Sequence, residues 1–218
     1  PTTNATAELP AVNQILQTVG QAPVTTLDQT NPDVAIAYDT LLQVSREVQA
    51  EGWTFNKEFN YPFTPENNKE ILIPSNILQI DLARDESVSR NYDVVRRSGK
   101  LYDRRKHSSQ WDEVMKCDVV WLFDWVDLPR PIQDYIVARA ACFTVSRIVG
   151  DANLYKMCQE KEAYMRAMAL EYECNQGEFT FFGHPKDGNF YTSYEPHHAL
   201  LRYCLLYTSD AADDSYRV

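Results

Sequence analysis

The hydrophobic pattern of this chain changes its period twice, and these changes restrict the fold more than any other feature. In residues 1–52 and again in 130–177, apolar residues recur every three or four positions, which is typical of helices packed on a core. In residues 53–129, aromatic and β-branched residues alternate with polar ones, which predicts strands. We therefore predict an α+β fold, in which a four-helix bundle carries an inserted, mainly β domain.

The expected division of the chain follows from this pattern. Helices 1 and 2 occupy residues 1–52, the β domain 53–129, helices 3 and 4 residues 130–177, and an extended C-terminal arm 178–203. Gly52 is placed to end the second helix in a left-handed conformation, and Trp53 is placed to pack between bundle and sheet. These two residues mark the predicted domain junction.

Short local signals locate individual elements. Asn31-Pro32-Asp33 has the form of a helix start, with a capping side chain, a proline at the first helical position and an acid near the positive end of the helix dipole. Ser98-Gly99 predicts a hairpin turn. Strands are expected at 53–59, 71–74, 77–80 and 119–123, and the apolar stripe of helix 4 is expected at Leu154, Met157, Met165, Met168 and Tyr172.

Motifs for the commonest enzyme sites are absent from the sequence. The chain has no G-x-G, no G-x-x-x-x-G-K-[ST], no H-E-x-x-H and no G-x-S-x-G. The carboxylates Asp124 and Asp127 flank Trp125, a common arrangement in sugar sites, and with Glu113 they are the candidates for a glycan hydrolase. The same segment also suits a turn that begins the third helix.

Charge and cysteine content exclude further classes. Thirty-one acids against 21 bases give a net charge of −10, so the chain is not expected to be a general nucleic-acid binder. No apolar run approaches the roughly 18–20 residues of a membrane span, so no membrane insertion is expected, and no signal-peptide pattern opens the chain. The five cysteines lack C-x-x-C spacing, and we expect buried free thiols in a reducing compartment.

The histidines give no clear metal site. His184, His197 and His198 have only Glu195 close by in sequence, and adjacent residues of an extended segment point to opposite faces. We therefore expect no metal and no cofactor, and we interpret these histidines as packing or interface residues.

The densest cluster of basic residues in the chain has two interpretations. It comprises Arg96, Arg97, Lys100, Arg104, Arg105, Lys106 and His107. The cluster contacts an acidic partner chain or phosphate, or its charges block unwanted strand pairing at the edges of a hairpin.

The arm is rich in aromatic residues but follows neither a helical nor an alternating pattern. A segment this apolar and irregular is expected to pack on a partner surface. The candidate subunit-interface residues are Phe179, Phe181, Phe182, Tyr191 and Tyr194.

The last fifteen residues, CLLYTSDAADDSYRV at 204–218, resemble the translation of an adapter used in transposase-based sequencing libraries. The alternative is a native acidic tail. We set this segment aside as one would a fusion scar, expect the native chain to end near Tyr203, and obtain a net charge of −8 without it. Because the chain begins at Pro1 without a methionine, a few N-terminal residues are also expected to be missing.

An ordered set of short motifs runs through residues 9–203. It comprises AVNQIL at 11–16, GQAPV at 20–24, LQVSREVQAEGWTFN at 42–56, IPSNIL at 73–78, GKLYD at 99–103, DLP at 127–129, ARAA at 138–141, VG at 149–150 and YEPHHALLR at 194–202. In this order the motifs resemble the tail tubular A family of short-tailed bacteriophages, also called gatekeeper or head-to-tail adaptor ring proteins. No single motif is specific, whereas the ordered set is.

The resemblance implies a structural virion protein rather than an enzyme. Such proteins form a dodecameric ring under the portal protein, with helical bundles around a DNA channel, the β domain outward and the arm against a neighbour. The ring holds the nozzle protein, tail tubular protein B, supports the tail fibre, and passes DNA without specific binding. The implied location is the virion tail, assembled in the host cytoplasm. The alternative function is a virion-associated hydrolase of glycans or peptidoglycan.

Overall fold

Four helices and two antiparallel sheets form the part of the chain that the structure, a computed structural model, describes, namely residues 5–28, 30–83 and 92–177. In chain order they are α1 (Ala5–Thr18), α2 (Pro32–Gln49), β1 (Lys57–Phe63), β2 (Ile77–Leu82), β3 (Val94–Arg97), β4 (Lys100–Asp103), β5 (Met115–Trp121), α3 (Arg130–Ile148) and α4 (Ala152–Gly177). A 3-10 turn, Trp125–Asp127, precedes α3. The predicted α+β class is confirmed.

The chain divides at Gly177 into two units, and the described residues before Gly177 all lie in the first. None of the described helices combines the length and the apolar character that crossing a membrane requires.

Helix α3 lies at the centre of the helical part, where α1 and α2 both pack on it. It presents apolar residues on several faces, as the sequence predicts for a central helix. The core that these helices share includes Val12, Ile15, Leu16, Leu41, Val44, Ile132, Ile136 and Ala140, each at most 1% exposed.

The helix starts follow the capping signals in the sequence. Asn31 Oδ1 accepts a hydrogen bond of 3.0 Å from the backbone N–H of Asp33, and Pro32 occupies the first turn of α2. The carboxylate of Asp151 likewise accepts from the backbone N–H of Asn153 over 2.8 Å at the start of α4. Both satisfy backbone donors that a helix leaves without an internal partner.

The larger sheet has the strand order β1-β5-β2, with both pairings antiparallel. Strand β5 contributes Met115, Cys117 and Val119 to a second apolar core. The hairpin β3–β4 covers this core with Val94 and Leu101. Since alternate residues of a strand point to opposite faces, one face of β5 is committed to this core. Near its end β5 is buried on both faces, because Val120 is also only 4% exposed.

The predicted hairpin is confirmed. Val94 pairs with Asp103 and Arg97 with Lys100, so two residues, Ser98 and Gly99, form the connection. Their φ angles are +52° and +74°. Two left-handed residues in a row give the turn whose twist matches the flanking strands.

Two predicted strands are wrong in extent. Residues 53–56 form a turn instead of the start of a strand, since Trp53 N–H donates to Asn56 Oδ1 and Asn56 N–H donates to the Trp53 carbonyl. Residues 71–74 form a single bridge, between Leu72 and Lys100, because Pro74 has no N–H to extend the pairing.

Strand β1 lies at the edge of the larger sheet, and its register is interrupted. The pairing with β5 shifts between Glu58 and Tyr61, where Asn60 has a φ of +58°. The N–H of Asn60 donates to Asp118 Oδ1 over 3.0 Å. Such a one-residue irregularity is a β-bulge, and Pro62 follows it within the same strand.

Candidate functional site

The predicted junction residues lie where α2 ends. Gly52 has a φ of +79°, and a Cβ added there would lie 3.3 Å from Val120 Cγ2 of β5. Glycine is the residue that adopts this conformation without a steric penalty. A larger residue would be strained and would also press against the sheet.

Trp53 is 4% exposed and belongs to the helical core. Its Nε1–H donates to the Val48 carbonyl over 2.7 Å, and its ring meets that of Tyr135 edge-on, with centroids 6.4 Å apart. A buried indole needs a partner for its N–H, and a carbonyl in the last turn of α2 provides one.

Two fully buried polar side chains, which the sequence did not single out, join the helices to the sheet at this point. Asn56 Nδ2 donates to the carbonyls of Gln49 and Trp121, each over 2.8 Å. Gln49 bonds to both backbone groups of Phe123. We call Gln49 and Asn56 the junction latch. Because their partners at the end of β5 and just after it, Trp121 and Phe123, are more than 60 residues away in sequence, no local pattern could identify them.

The basic cluster lies on and beside the hairpin, where much of its charge has a local counterpart. Lys100 pairs with Glu70 over 2.7 Å and Arg104 with Asp93 over 2.8 Å, and the hydrogen bond to Asp93 raises the pKa of Arg104. The exposed Arg104–Asp93 pair contributes little to stability, whereas Lys100 and Glu70 are partly buried.

The other basic residues lie in different local environments, and His107 is exposed in the turn after β4. Arg96 donates to the Ile77 carbonyl over 3.1 Å, Arg97 stacks on the Tyr102 ring at 4.1 Å, and Lys106 stacks on the Tyr92 ring at 4.2 Å. Arg105 is exposed in the turn after β4. These contacts fit a hairpin whose edges carry solvated charge, and both interpretations of the cluster remain hypotheses.

The three candidate catalytic carboxylates are not brought together as one group. Glu113 precedes β5 and Asp124 follows it, so the length of the strand separates them by roughly 20 Å. Glycosidase carboxylates lie roughly 5–10 Å apart. Asp124 immediately precedes the 3-10 turn that leads into α3, and Asp127 is the exposed last residue of that turn. The turn interpretation therefore accounts for both.

Within residues 5–28, 30–83 and 92–177, no group of three or more His, Cys, Asp or Glu side chains could hold a metal ion. The histidines at 184, 197 and 198 lie outside the described residues. So do the arm residues Phe179, Phe181, Phe182, Tyr191 and Tyr194.

Helix α4 exposes a row of apolar side chains that we call the α4 stripe. Met157 is 67% exposed, Tyr164 62% and Met168 43%. Their spacing of seven and four residues places them on one side of the helix. Met157 and Met168 were expected in the buried stripe, and that prediction is wrong. The buried side instead includes Cys158 and Ala169, which contact the helical core.

Polar contacts hold α4 in place on its buried side. Glu173 Oε1 accepts from the N–H of Thr54 over 2.7 Å and from its hydroxyl over 2.6 Å. Arg139 of α3 lies 3.7 Å from Glu162 of α4 and donates to the Tyr135 hydroxyl over 3.1 Å. These contacts link α4 to α3 and to the turn at Thr54, while the α4 stripe stays in solvent.

A groove of about 300 Å³ opens between the start of α1, the 3-10 turn and the first turns of α3. We call it the α1–α3 groove. Its lining is Ala7, Pro10, Ala11, Gln14, Trp125, Val126, Arg130, Gln133, Asp134 and Val137. The lining is mixed, with Trp125 half-buried, Val126 56% exposed, and an ion pair between Arg130 and Asp134 at 3.1 Å. None of the three candidate carboxylates lines it.

Comparison with known proteins finds matches over most of the described structure. Residues 9–179 match the model of a family described as tail tubular protein. Over 174 residues the chain is 28% identical to tail tubular protein A of Klebsiella phage KP34, an alignment that covers 78% of this chain and 88% of that protein.

Proposed function

Because this chain belongs to the tail tubular protein family, and is therefore a structural component of a bacteriophage tail, we propose that it forms the adaptor ring between portal and tail nozzle. In this role the ring lines the channel through which DNA leaves the head, and it offers a surface for the tail fibre. The arm, residues 178–203, lies across the neighbouring subunit.

The observation that carries the proposal is the extent of the family match. It begins in α1 and ends just beyond α4, so it includes both sheets and all four described helices. A match limited to one element would support only a shared motif, whereas this one supports a shared role for the whole described fold.

The charge distribution also supports a channel that DNA passes without binding. The chain carries a net charge of −10, and residues 5–52 contain six acidic residues and a single basic one, Arg46. Each lysine or arginine placed at a phosphate would release counterions and hold the DNA. We therefore expect an acidic channel surface to keep the friction on moving DNA low.

Negative-stain microscopy and light scattering of the purified full chain test the proposal. The expected result is a ring with a central channel, weak salt-dependent binding to duplex DNA, and no loss of viscosity when the protein is mixed with bacterial capsular polysaccharide. A chain that remains monomeric and lowers the viscosity would instead support the alternative function, a virion-associated glycan hydrolase.

A further inference from the structure

Two of the described cysteines face each other across the turn between α3 and α4. Cys142 of α3 is 2% exposed, and Cys158 of α4 is 7% exposed. Each lies eight residues from Gly150, which stands between the two helices. With Val145 they form a small apolar cluster of their own, separate from the helical and sheet cores. The fold therefore brings together two buried thiols that are 16 residues apart in sequence.

The contact between the two side chains is direct. The Cys142 thiol donates a hydrogen bond to the sulfur of Cys158, and the carboxylate of Glu162 is a second acceptor within its reach. Glu162 lies one turn after Cys158 and is 3.7 Å from Arg139, which lies one turn before Cys142. The sides of α3 and α4 that meet are thus the sides that carry the two thiols.

The other described cysteines have no place in such a pair. Cys117 belongs to the apolar core of the larger sheet. Cys174 is exposed on α4, 16 residues after Cys158 and therefore about 24 Å further along the helix axis. All four are free thiols. Among the residues that the structure describes, Cys142 and Cys158 are therefore the candidates for a bond between two sulfurs.

We propose that Cys142 and Cys158 form a redox site, which a hydroperoxide converts to a disulfide that joins α3 to α4. The S–S bond forms as two S–H bonds and the peroxide O–O bond break. The two sulfurs lose two electrons. With hydrogen peroxide as the oxidant, its oxygens take up these electrons and both thiol protons and leave as two water molecules. Because an S–S bond is about 2.0 Å long, the two helices must approach slightly as it forms.

The surroundings of the thiols give the first step to Cys158. Burial raises the pKa of both thiols, which makes the reaction slow, but the hydrogen bond from Cys142 and the charge of Lys161 favour the thiolate of Cys158. This thiolate attacks a peroxide oxygen and becomes a sulfenic acid, and the expelled hydroxide takes up the proton that Cys158 had lost. Cys142 then attacks the sulfur of Cys158, and the sulfenic hydroxyl leaves as water with the Cys142 proton.

The disulfide fastens the first half of α4 to α3. It closes a loop of 15 residues, and such a loop restricts the unfolded chain. We expect the reduced pair inside a cell, where thiols are kept reduced, and the disulfide outside it. A component of a bacteriophage tail passes from the first environment to the second. The redox site is independent of the proposed ring, because both cysteines and their contacts lie within one copy of the chain.

The test uses the full chain carrying Cys174→Ser and Cys204→Ser, which leaves Cys117, Cys142 and Cys158. Treating the folded chain with hydrogen peroxide should lower the number of thiols that can be alkylated after denaturation from three to one. Mass spectrometry of the digested chain should find Cys142 linked to Cys158, with Cys117 alkylated. Dithiothreitol should then restore all three thiols.

Matched variants in this background assign the bond and its effect. Cys142→Ala and Cys158→Ala should form no linkage, whereas Cys117→Ala, at another buried cysteine, should form it as before. Circular dichroism checks that each variant is folded. Oxidation should raise the melting temperature of the background chain by roughly 5 °C or more. The same treatment should leave the melting temperatures of Cys142→Ala and Cys158→Ala unchanged.

The contrary results are equally clear. Three thiols that survive the peroxide, a linkage that involves Cys117, or a linkage that forms only after denaturation would each overturn the redox site. A bond between Cys142 and Cys158 that leaves the melting temperature unchanged would overturn its role in fastening α4.

Discussion

The side-chain amide of Gln49 and the backbone of Phe123 exchange two hydrogen bonds. The N–H of Phe123 donates to Oε1 over 2.8 Å, and Nε2 donates to the Phe123 carbonyl over 3.2 Å. Gln49 is 0% exposed and lies at the end of α2, while Phe123 follows β5. The pair therefore connects the helical core to the segment that leaves the sheet.

Replacing Gln49 by methionine should lower the free energy of unfolding by about 1–3 kcal/mol. Methionine fills a similar volume but leaves both backbone groups of Phe123 without their partner, and such groups are costly to bury. Urea unfolding measures the change. Gln43→Met is the matched control, because Gln43 is exposed on the same helix, and it should cost no more than about 0.5 kcal/mol. Equal losses in the two variants would contradict this role of Gln49.

Replacing Trp53 by alanine should cost about 3–5 kcal/mol, the usual effect of removing a buried large aromatic side chain. Trp53→Phe isolates the contribution of the indole hydrogen bond, since it removes the bond to Val48 but keeps an aromatic ring against Tyr135. Phe59, 56% exposed on β1, provides the control Phe59→Ala, which should cost far less. A loss below about 1 kcal/mol for Trp53→Ala would show that this residue does not support the core.

Replacing Glu173 by alanine should loosen the C-terminal turns of α4. The substitution removes the carboxylate that accepts two hydrogen bonds from Thr54, so backbone amides in these turns should exchange with deuterium faster. Glu173→Gln retains an acceptor oxygen and should have a smaller effect. Glu171→Ala, two residues away and exposed, is the control. Hydrogen-exchange mass spectrometry measures all three, and equal protection in Glu173→Ala and Glu171→Ala would refute the prediction.

Only one described cysteine should react quickly with a thiol reagent in the folded chain. Burial raises the pKa of Cys117 and Cys142 to about 12 and also raises that of Cys158, so these thiols rarely form the reactive thiolate. Cys174 is exposed. In a chain carrying Cys204→Ser, we expect one fast thiol, which Cys174→Ser removes, and three more after denaturation. Fast modification of Cys117 would contradict its burial.

The same thiols should make stability depend on pH in the alkaline range. An unfolded cysteine ionises near pH 9, whereas Cys117 and Cys142 stay protonated up to about pH 12 in the folded chain. Their contribution to the free energy of unfolding is fully present below about pH 9, and it is lost as the pH rises from about 9 to 12. Unfolding measured across this range should show a shallower decline in Cys117→Val than in Cys174→Ser.

Deleting the arm, residues 178–203, together with everything after it should leave a folded, helical chain that assembles poorly. The seven aromatic residues of the arm follow no pattern that would bury them in a layer of their own. Light scattering and circular dichroism test this against a chain that ends at Tyr203. Loss of helicity would place the arm in the core of its own subunit, and rings of full size would assign it to the nozzle or fibre.

The hydrophobic periodicity of the sequence predicted α3 well, because the burial of a helix face depends on residues that are close in sequence. The turn residues predicted the hairpin well, because the twist of a two-residue turn also depends on adjacent residues. The periodicity did not predict which side of α4 is buried. That helix carries two apolar rows, one with Cys158 and Ala169 and the other with Met157 and Met168. Their spacings are equally helical, and the choice between them depends on contacts with α3 and the junction.

The burial of the junction latch could not be predicted from the sequence pattern for a similar reason. Gln49 and Asn56 are polar residues in segments that look amphipathic, and their burial is acceptable only because distant backbone groups satisfy them. The same holds for Glu173, whose partner is Thr54, 119 residues earlier. Long-range hydrogen bonds leave no trace in local spacing.

The bulge at Asn60 and the proline at position 62 bear on the proposed ring, in which many copies of the chain would lie side by side. An edge strand with a regular row of free backbone groups can recruit an identical strand and start open-ended aggregation. In β1 the left-handed residue breaks that row, and Pro62 removes one donor from it. We therefore expect that β1 does not recruit the β1 strand of another copy, so that the subunits of the proposed ring associate through other surfaces and do not grow into a fibre.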